Sequence, residues 1–382
     1  MRVLGGGAAA SVQAVGAGTI ADLWEPYERG RAMGIFYLGP LLGPLFSPII
    51  GGALGQKFGW RSTQWFLTIY GAIMVVLIVL FVPETLIKTP KPPKTVNRRP
   101  PTSADSSIPE KEARPTTLTR VSTTQSVIHH STKFAKLMYR FWIEPLKPLL
   151  YLRFPAVIII VYYAAVTFGA LYVLNVSLQA TFTIAPYNFS TFAVGLLYIP
   201  SGLGYMIASP IGGKWCDMIM IREARKAGRF KEGTDGSRRE DLILQPEDRM
   251  MENAYIGAIV YPAGLLLYGW AAERGWHWIV PCIANFFFGL GSMIIFSVAT
   301  TMLTEFMPRK ATSGVAVNNL IRNIFACVGG IVGEPLVRAI GNGWLFTILG
   351  VWCLVSVVVV WLMRHYGPRW RADMQRKLEK ME

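Results

Sequence analysis

Apolar residues gather along this chain in runs of about 18 to 27 positions, and a helix needs roughly 20 to cross the hydrocarbon of a bilayer. Nine such runs begin near Val3, Met33, Gln64, Pro155, Phe192, Asn253, Trp278, Ala311 and Leu345, separated by segments that hold most of the charge. The texture changes between the third and fourth runs. From Lys88 to Thr132 the chain is rich in Pro, Ser, Thr, Lys and Arg and poor in aromatics, so it cannot bury enough apolar surface to fold and is expected to be a disordered linker. From Phe134 to Leu152, Lys136, Arg140 and Lys147 interleave with Leu137, Phe141, Trp142 and Leu146, the pattern of a helix lying on an anionic leaflet. The pattern predicts an all-α membrane protein with about nine transmembrane helices. Residues 1–87 hold three spans, 88–153 the linker and its amphipathic helix, 154–364 a six-helix half, and 365–382 a tail.

Charge changes this picture by orienting it. The chain carries 38 Lys and Arg against 23 Asp and Glu, a formal charge of +15. Of those 38, 32 fall in the segments after the first, third, fifth, seventh and ninth runs. Only Lys57, Arg61, Arg274 and Arg338 fall on the other side, and Arg2 and Arg322 lie inside runs. This is the positive-inside bias; it places the central loop and the C-terminus in the cytosol and makes the lipid bilayer, not nucleic acid, the basic chain's partner. Three of the four cysteines lie in runs, and no metal or cofactor spacing is seen. With four histidines, two of them in the linker, no nucleophile–base or ligand constellation points to an enzyme.

The second run contains Gly39, Gly43, Ser47, Gly51 and Gly55 at four-residue steps, with Gly52 alongside and Pro40, Pro44 and Pro48 keeping the same step. Small residues at that spacing form a stripe where another helix backbone can approach. Each proline frees a carbonyl four residues earlier, which must face protein or water rather than lipid.

Gly43-x3-Ser47-Pro48-x2-Gly51-Gly52 resembles the fifth-helix motif of drug:proton antiporters of the major facilitator superfamily, with Ser47 where the family has glycine. Arg2 followed by Gly5 and small residues resembles the fourth-helix motif, and Ala21-Asp22-Leu23 with Glu28-Arg29-Gly30 resembles the turn into the fifth helix. Pro83-Glu84-Thr85 resembles the close of the sixth helix in fungal members. Tyr172-Val-Leu-Asn175 through Gly195-Leu-Leu-Tyr198 and Asn319-Leu-Ile-Arg322-Asn323 look most like the fungal twelve-helix multidrug type. The resemblance implies a major facilitator fold in which Met1 falls within the fourth of twelve helices, so that the N-terminal half is incomplete (3 + 6 spans). It implies proton-coupled export of small amphipathic or cationic compounds at the plasma membrane by a monomer. The alternative is a shortened, non-transporting fragment or a partial gene model.

Particular residues carry these expectations. Arg2, Asp22, Arg322 and Glu334 are the candidates for proton coupling and a polar core, since ionisable groups in hydrocarbon need partners or water; for Arg2, reaching back to the surface is the competing reading. Asn318 and Asn319 flank Arg322 at helical spacing, and Glu334, twelve residues further along a helix, is about 18 Å away. Tyr163, Asn175, Gln179, Asn285, Phe288, Asn319 and Asn323 are candidate cavity residues; packing inside the bundle is the competing reading for the aromatics. Gly213-Lys-Trp-Cys-Asp217 with Arg222 partly resembles the family's loop after the eighth helix. There Asp217 could cap a helix and pair with a nearby arginine as a cytosolic latch, with a solvated charged loop as the alternative.

Overall fold

In the computed structural model, residues 15–20, 23–24, 26–81, 144–230, 242–306 and 311–379 are described. A helical stretch over 15–20 precedes α1 (Pro26–Phe58), α2 (Trp60–Phe81), a 3-10 helix (Glu144–Arg153), α3 (Pro155–Phe182) and α4 (Thr191–Leu196). They are followed by α5 (Ile199–Lys226), a 3-10 turn (Pro246–Arg249), α6 (Glu252–Glu273), α7 (Ile279–Phe306) and α8 (Ala311–Glu379). α8 is two helices end to end, because Gly341 at φ 77° breaks it into limbs over 311–340 and 342–379, a left-handed conformation that glycine adopts without strain.

By length and composition, six helical stretches among the described residues can cross a membrane. The last of them, Ala311–Lys377, contains both the eighth and the ninth expected spans. α1, 33 residues and about 50 Å long, covers the second. Every run from Met33 onward thus has its helix, and the first lies largely outside the described residues, as do the linker and the amphipathic segment up to Ile143. The rest of that segment, Glu144–Arg153, is a 3-10 helix rather than an α-helix. Pro148 inside it removes an amide donor that an α-helix would need.

Contacts divide the chain into two units, Met1–Ile73 with Pro148–Glu382, and Met74–Lys147. In the larger unit α1 lies along α5 and touches α4 and α7, so a helix from before residue 88 packs on helices that follow residue 153. α3 packs on α8, and α6 on α7 and α8. These contacts need small residues where backbones meet: a Cβ on Gly204 of α5 would lie 2.5 Å from the Phe286 carbonyl oxygen of α7. Around such crossings Tyr163, Leu174, Tyr261, Leu265, Tyr268, Phe288 and Phe296 form the buried core. α2 is the opposite case. Beyond its polar first turn it is almost wholly apolar, and with none of Trp60–Leu80 buried it has the surface of a helix solvated by lipid.

Candidate functional site

Polar chemistry in this bundle concentrates in three places: one charged end, a layer part-way along the helices, and the far end. The charged end is built on the turn Pro246–Arg249. Its three consecutive ionisable residues each reach a different element. Arg249, with a fully buried side chain, donates to Asp217 of α5 and to Glu305 of α7, both at 2.7 Å. Asp248 accepts from Arg229 at 2.6 Å, and Glu247 lies 3.0 Å from Arg371 on the second limb of α8. Local structure sets up these meetings. Gly228 at φ 63° ends α5, with the Arg229 amide returning to the Ala224 carbonyl, a left-handed cap that turns Arg229 back toward the turn.

Asp217 also reaches α1. Its second carboxylate oxygen accepts the backbone amide of Arg31 near the start of α1, at 3.0 Å. The crossing beneath it is tight, because a Cβ on Gly34 would sit 2.8 Å from the Ser209 carbonyl and 3.8 Å from the Gly213 Cα. Burial works against the charge of Arg249, but Glu305 and Asp217 outweigh it and hold the guanidinium well above its usual pKa. Burial pushes the Glu247 carboxyl above the ordinary carboxylate range, opposed by Arg371, and does the same to Asp248, opposed by Arg229.

This corrects the expected latch. Asp217 does pair with an arginine, but with Arg249 rather than Arg222; Arg222 is exposed and reaches Glu252 and Glu223 instead. Five residues along a helix turns Arg222 well away from the face that Asp217 presents. Arg249 carried no local signal, since its partners lie 32 and 56 residues away in sequence.

The middle layer contains Arg322, only 2% exposed, with its guanidinium carbon 4.1 Å from the Phe168 ring centre and 4.8 Å from that of Phe296. Asn318 and Asn319 are buried beside it, and their side-chain amide atoms have no hydrogen-bond partner among the described residues. Asn323 is exposed and donates to the Asn319 carbonyl at 2.7 Å. Glu334 does not join this layer. It is exposed and paired with Arg338 one turn on, at 2.5 Å. Arg2 and Asp22 lie outside the described residues.

Several expected cavity residues are packing residues. Tyr163 is buried and donates to the Ala254 carbonyl at 3.3 Å. Asn285, 1% exposed, donates to the Leu197 carbonyl at 3.0 Å. Phe288 is buried with its ring edge-on to Tyr261 at 6.2 Å. Each satisfies its polar atom or fills volume inside the second half, which is what aromatic and amide side chains at helix crossings do. Asn175 is half-buried, and its carbonyl accepts from Tyr198 at 2.9 Å. Gln179 does line a cavity.

That cavity, about 1080 Å³, lies at the far end between α3, the end of α6 and the break in α8, and includes Gln179, Thr183, Glu273, Glu334, Arg338 and Asn342. Its wall is ordered by a buried chain in which Ser177 meets Tyr268 at 3.0 Å and donates to Asn342 at 2.7 Å, while Asn342 donates to Thr181 at 2.9 Å. Glu273 accepts the amides of Asn342 and Gly343 at 2.7 and 3.3 Å, so a carboxylate caps the start of the second limb, where the helix dipole favours negative charge. Ser177, Asn342 and Glu273 were not expected from sequence; each is an ordinary polar residue until the break at Gly341 brings them together. Among the described residues no cluster of His, Cys, Asp and Glu could hold a metal ion.

The stripe of small residues is also used differently than expected. Among the described residues, no atom beyond the neighbouring backbone of α1 itself lies within 4 Å of a Cβ built on Gly39, Gly43, Gly51 or Gly55, and Ser47 is exposed. Close approach occurs on the adjoining face instead. A Cβ on Gly52 would sit 3.6 Å from the Thr191 carbonyl, and one on Gly195 3.2 Å from the Pro48 carbonyl. Hence α1 meets the second half through Gly34, Pro48 and Gly52. Pro44 lies within α1.

Comparison with known proteins adds ancestry. Residues 1–330 match the family model described as Major Facilitator Superfamily. The chain is 46% identical to MFS transporter OpS2 of Beauveria bassiana over 97% of this chain and 99% of that one. It is 32% identical to MFS antiporter QDR3 of Candida albicans over 97% of this chain and 65% of that one. To Quinidine resistance protein 3 of Saccharomyces cerevisiae it is 28% identical, covering 71% of that protein.

Proposed function

From a chain that belongs to the major facilitator superfamily, and so is an integral membrane transporter rather than an enzyme, we infer proton-coupled export of small amphipathic or cationic compounds across the plasma membrane. The three spans of residues 1–87 and the six of 154–364 act as two bodies that rock against each other, exposing a path between them first to one side and then to the other. The central loop and C-terminus face the cytosol on this reading, in keeping with the positive-inside bias.

The observation that carries the reading is the contact of Asp217 with the Arg31 amide. One carboxylate, held by Arg249, ties the first half to the second at the charged end, while a polar cavity of about 1080 Å³ opens at the far end. A contact that ties the two bodies at one end is what one state of an alternating-access cycle calls for, and the far-end cavity, lined by α3, α6 and α8, supplies a polar chamber within the six-span body. The names of QDR3 and Quinidine resistance protein 3, an antiporter and a drug-resistance protein, support the choice of exchange and of drug-like cargo.

The test is efflux of a fluorescent cationic dye from yeast expressing the chain. Export that rises with an inward proton gradient and collapses with a protonophore is expected. Membrane-inserted protein with no gradient-dependent efflux overturns the reading. Orientation is checked separately with single cysteines: one at Thr183 should react with an impermeant thiol reagent added outside cells, and one at Lys226 only after permeabilisation.

A further inference from the structure

The charged end has an arm that its gate-like contacts do not require. The second limb of α8 does not stop where its apolar run ends; it continues as helix to Glu379. Its 38 residues over 342–379 amount to about 57 Å, well beyond the roughly 30 Å hydrocarbon core. The extension lies against the protein along one face. Met363 and Met374 are buried at 0% and 1% exposure, and Trp370 packs against the core, whereas Arg364, Arg369, Arg376 and Lys377 on the other side are exposed.

What that face touches is the turn that carries Arg249. Arg371 lies 3.0 Å from Glu247, whose side chain is only 5% exposed. One turn earlier, a Cβ on Gly367 would lie 2.9 Å from the Glu247 Cγ, so the helix backbone rests directly on the glutamate. Tyr366 stacks on Trp370 at 5.6 Å, which stiffens the same stretch. Glu247 is two residues from Arg249, and its carbonyl accepts the Met250 amide at 3.1 Å. Moving Glu247 therefore moves the turn, and with it the guanidinium that Asp217 and Glu305 share.

We propose that Arg371 and Gly367 are positioning residues of the transporter: the C-terminal helix clamps Glu247 so that the turn presents Arg249 to Asp217 and Glu305, and the tie between the halves depends on the tail. This rests on the reading of the charged end as the tied end of a transport cycle. Stability alone gives no reason for the pair. A buried ion pair is weak evidence of net stabilisation, and its best-attested use is to fix registry. Breaking it from one side still matters, because the buried carboxylate left behind must find water or another cation.

Hydrogen exchange on the full chain in lipid nanodiscs reads the clamp without any transported compound. The amides of Asp248 and Met250 are hydrogen-bonded within the turn, and their exchange should rise at least tenfold in Arg371→Gln while Arg371→Lys retains most of the protection. Gly367→Ala tests the clamp without touching charge. Alanine should strengthen an exposed helix, yet here it should loosen the turn at least fivefold. Dye export should fall in Arg371→Gln and Gly367→Ala through turnover rate rather than apparent affinity for the dye. Wild-type exchange at Asp248 and Met250 in both variants, whatever their export, overturns the proposal. A clamp seen by exchange in a protein that exports nothing would leave the clamp standing and remove the transport reading beneath it.

Discussion

Removing Arg249 is the most demanding perturbation of the charged end. Its side chain is fully buried, and Asp217 and Glu305 are 10% and 6% exposed. Arg249→Met keeps the apolar stem and deletes the cation that Asp217 and Glu305 share, leaving two carboxylates close together in a poorly solvated space. Taking one partner from a buried ion pair costs about 3–5 kcal/mol, and here one deletion breaks two pairs. A domain with about 5–15 kcal/mol of total stability would lose a large part of it. Counting only one such loss, because the two pairs share one cation, about 2–4 °C per kcal/mol for chains of 150–250 residues puts the drop in unfolding midpoint at about 6–20 °C or more. The assay is thermal unfolding of the purified protein in detergent, followed by tryptophan fluorescence. A second variant separates lost pairing from lost shape: Asp217→Asn and Glu305→Gln added to Arg249→Met remove the stranded charges and should recover most of the midpoint, since neutral replacement of buried ion networks is often close to neutral. A midpoint for Arg249→Met within 1 °C of wild type, or a triple variant no better than the single, would refute the cluster as described.

The other predictions address the remaining sites. Gly34→Leu should lower folded yield or unfolding temperature sharply, because a Cβ there already lies 2.8 Å from the Ser209 carbonyl, whereas Gly43→Leu should be tolerated; equal effects in a side-by-side unfolding assay would contradict the packing of α1. Arg322→Leu should abolish dye export while leaving inserted, folded protein, and Arg322→Lys should fail as well, since a lysine does not reproduce the planar guanidinium between Phe168 and Phe296; normal export by either, at matched abundance, counts against a role in transport. Burial raises the Glu247 pKa against Arg371, with Asp248 and Glu305 adding to the rise. A raised carboxylate pKa means the folded state holds the proton more tightly than the unfolded one, so the stability of wild type relative to Glu247→Gln should be greatest at low pH and decline as pH climbs from about 4.3 through the raised value. A relative stability that instead grows with pH over that window would show the shift has the opposite sign.

Run length made the helices legible in sequence, because the bilayer thickness imposes it directly and little else in a chain produces twenty apolar residues in a row. It also made α2 and α5 separable from the charged segments around them. Run length does not report which face of a helix meets which neighbour. The four-residue spacing on α1 pointed to Gly39, Gly43 and Gly51, yet the contacts fall on Gly34 and Gly52, since where α1 crosses α5 is set by the whole bundle and not by the stripe. Polar residues behaved likewise. Tyr163 and Asn285 have the composition of cavity residues, but each is turned into the second half and satisfied by a single carbonyl. The Arg249 pairs were hidden because turns and long segments separate their members, and a charge beside a helix end in sequence reads the same whether it is solvated or buried. The break at Gly341, with Glu273 capping the limb beyond it, depends on one φ angle that the sequence Gly341-Asn342-Gly343 permits without specifying.

A tie that must open during transport has to be weak enough to open, and the contacts allow this to be judged. Arg249 with Asp217 and Glu305 lies wholly within the second half, so rocking of the halves need not disturb it. Among the described residues, the contacts from α1 to that carboxylate include the hydrogen bond from the Arg31 amide to Asp217 at 3.0 Å. A hydrogen bond to a charged group contributes about 1.5–3 kcal/mol, so this bond by itself biases the tied state by roughly ten- to a hundredfold. A ligand that binds one state better than the other can reverse a bias of that size with an ordinary difference in affinity. Had the ion pairs themselves bridged the halves, each opening would have had to part buried opposite charges, and the tied state would have been harder to leave. Placing the strong pairs among α5, α7 and the Pro246–Arg249 turn, with the Asp217 carboxylate reaching α1, keeps that carboxylate aimed while leaving this contact reversible.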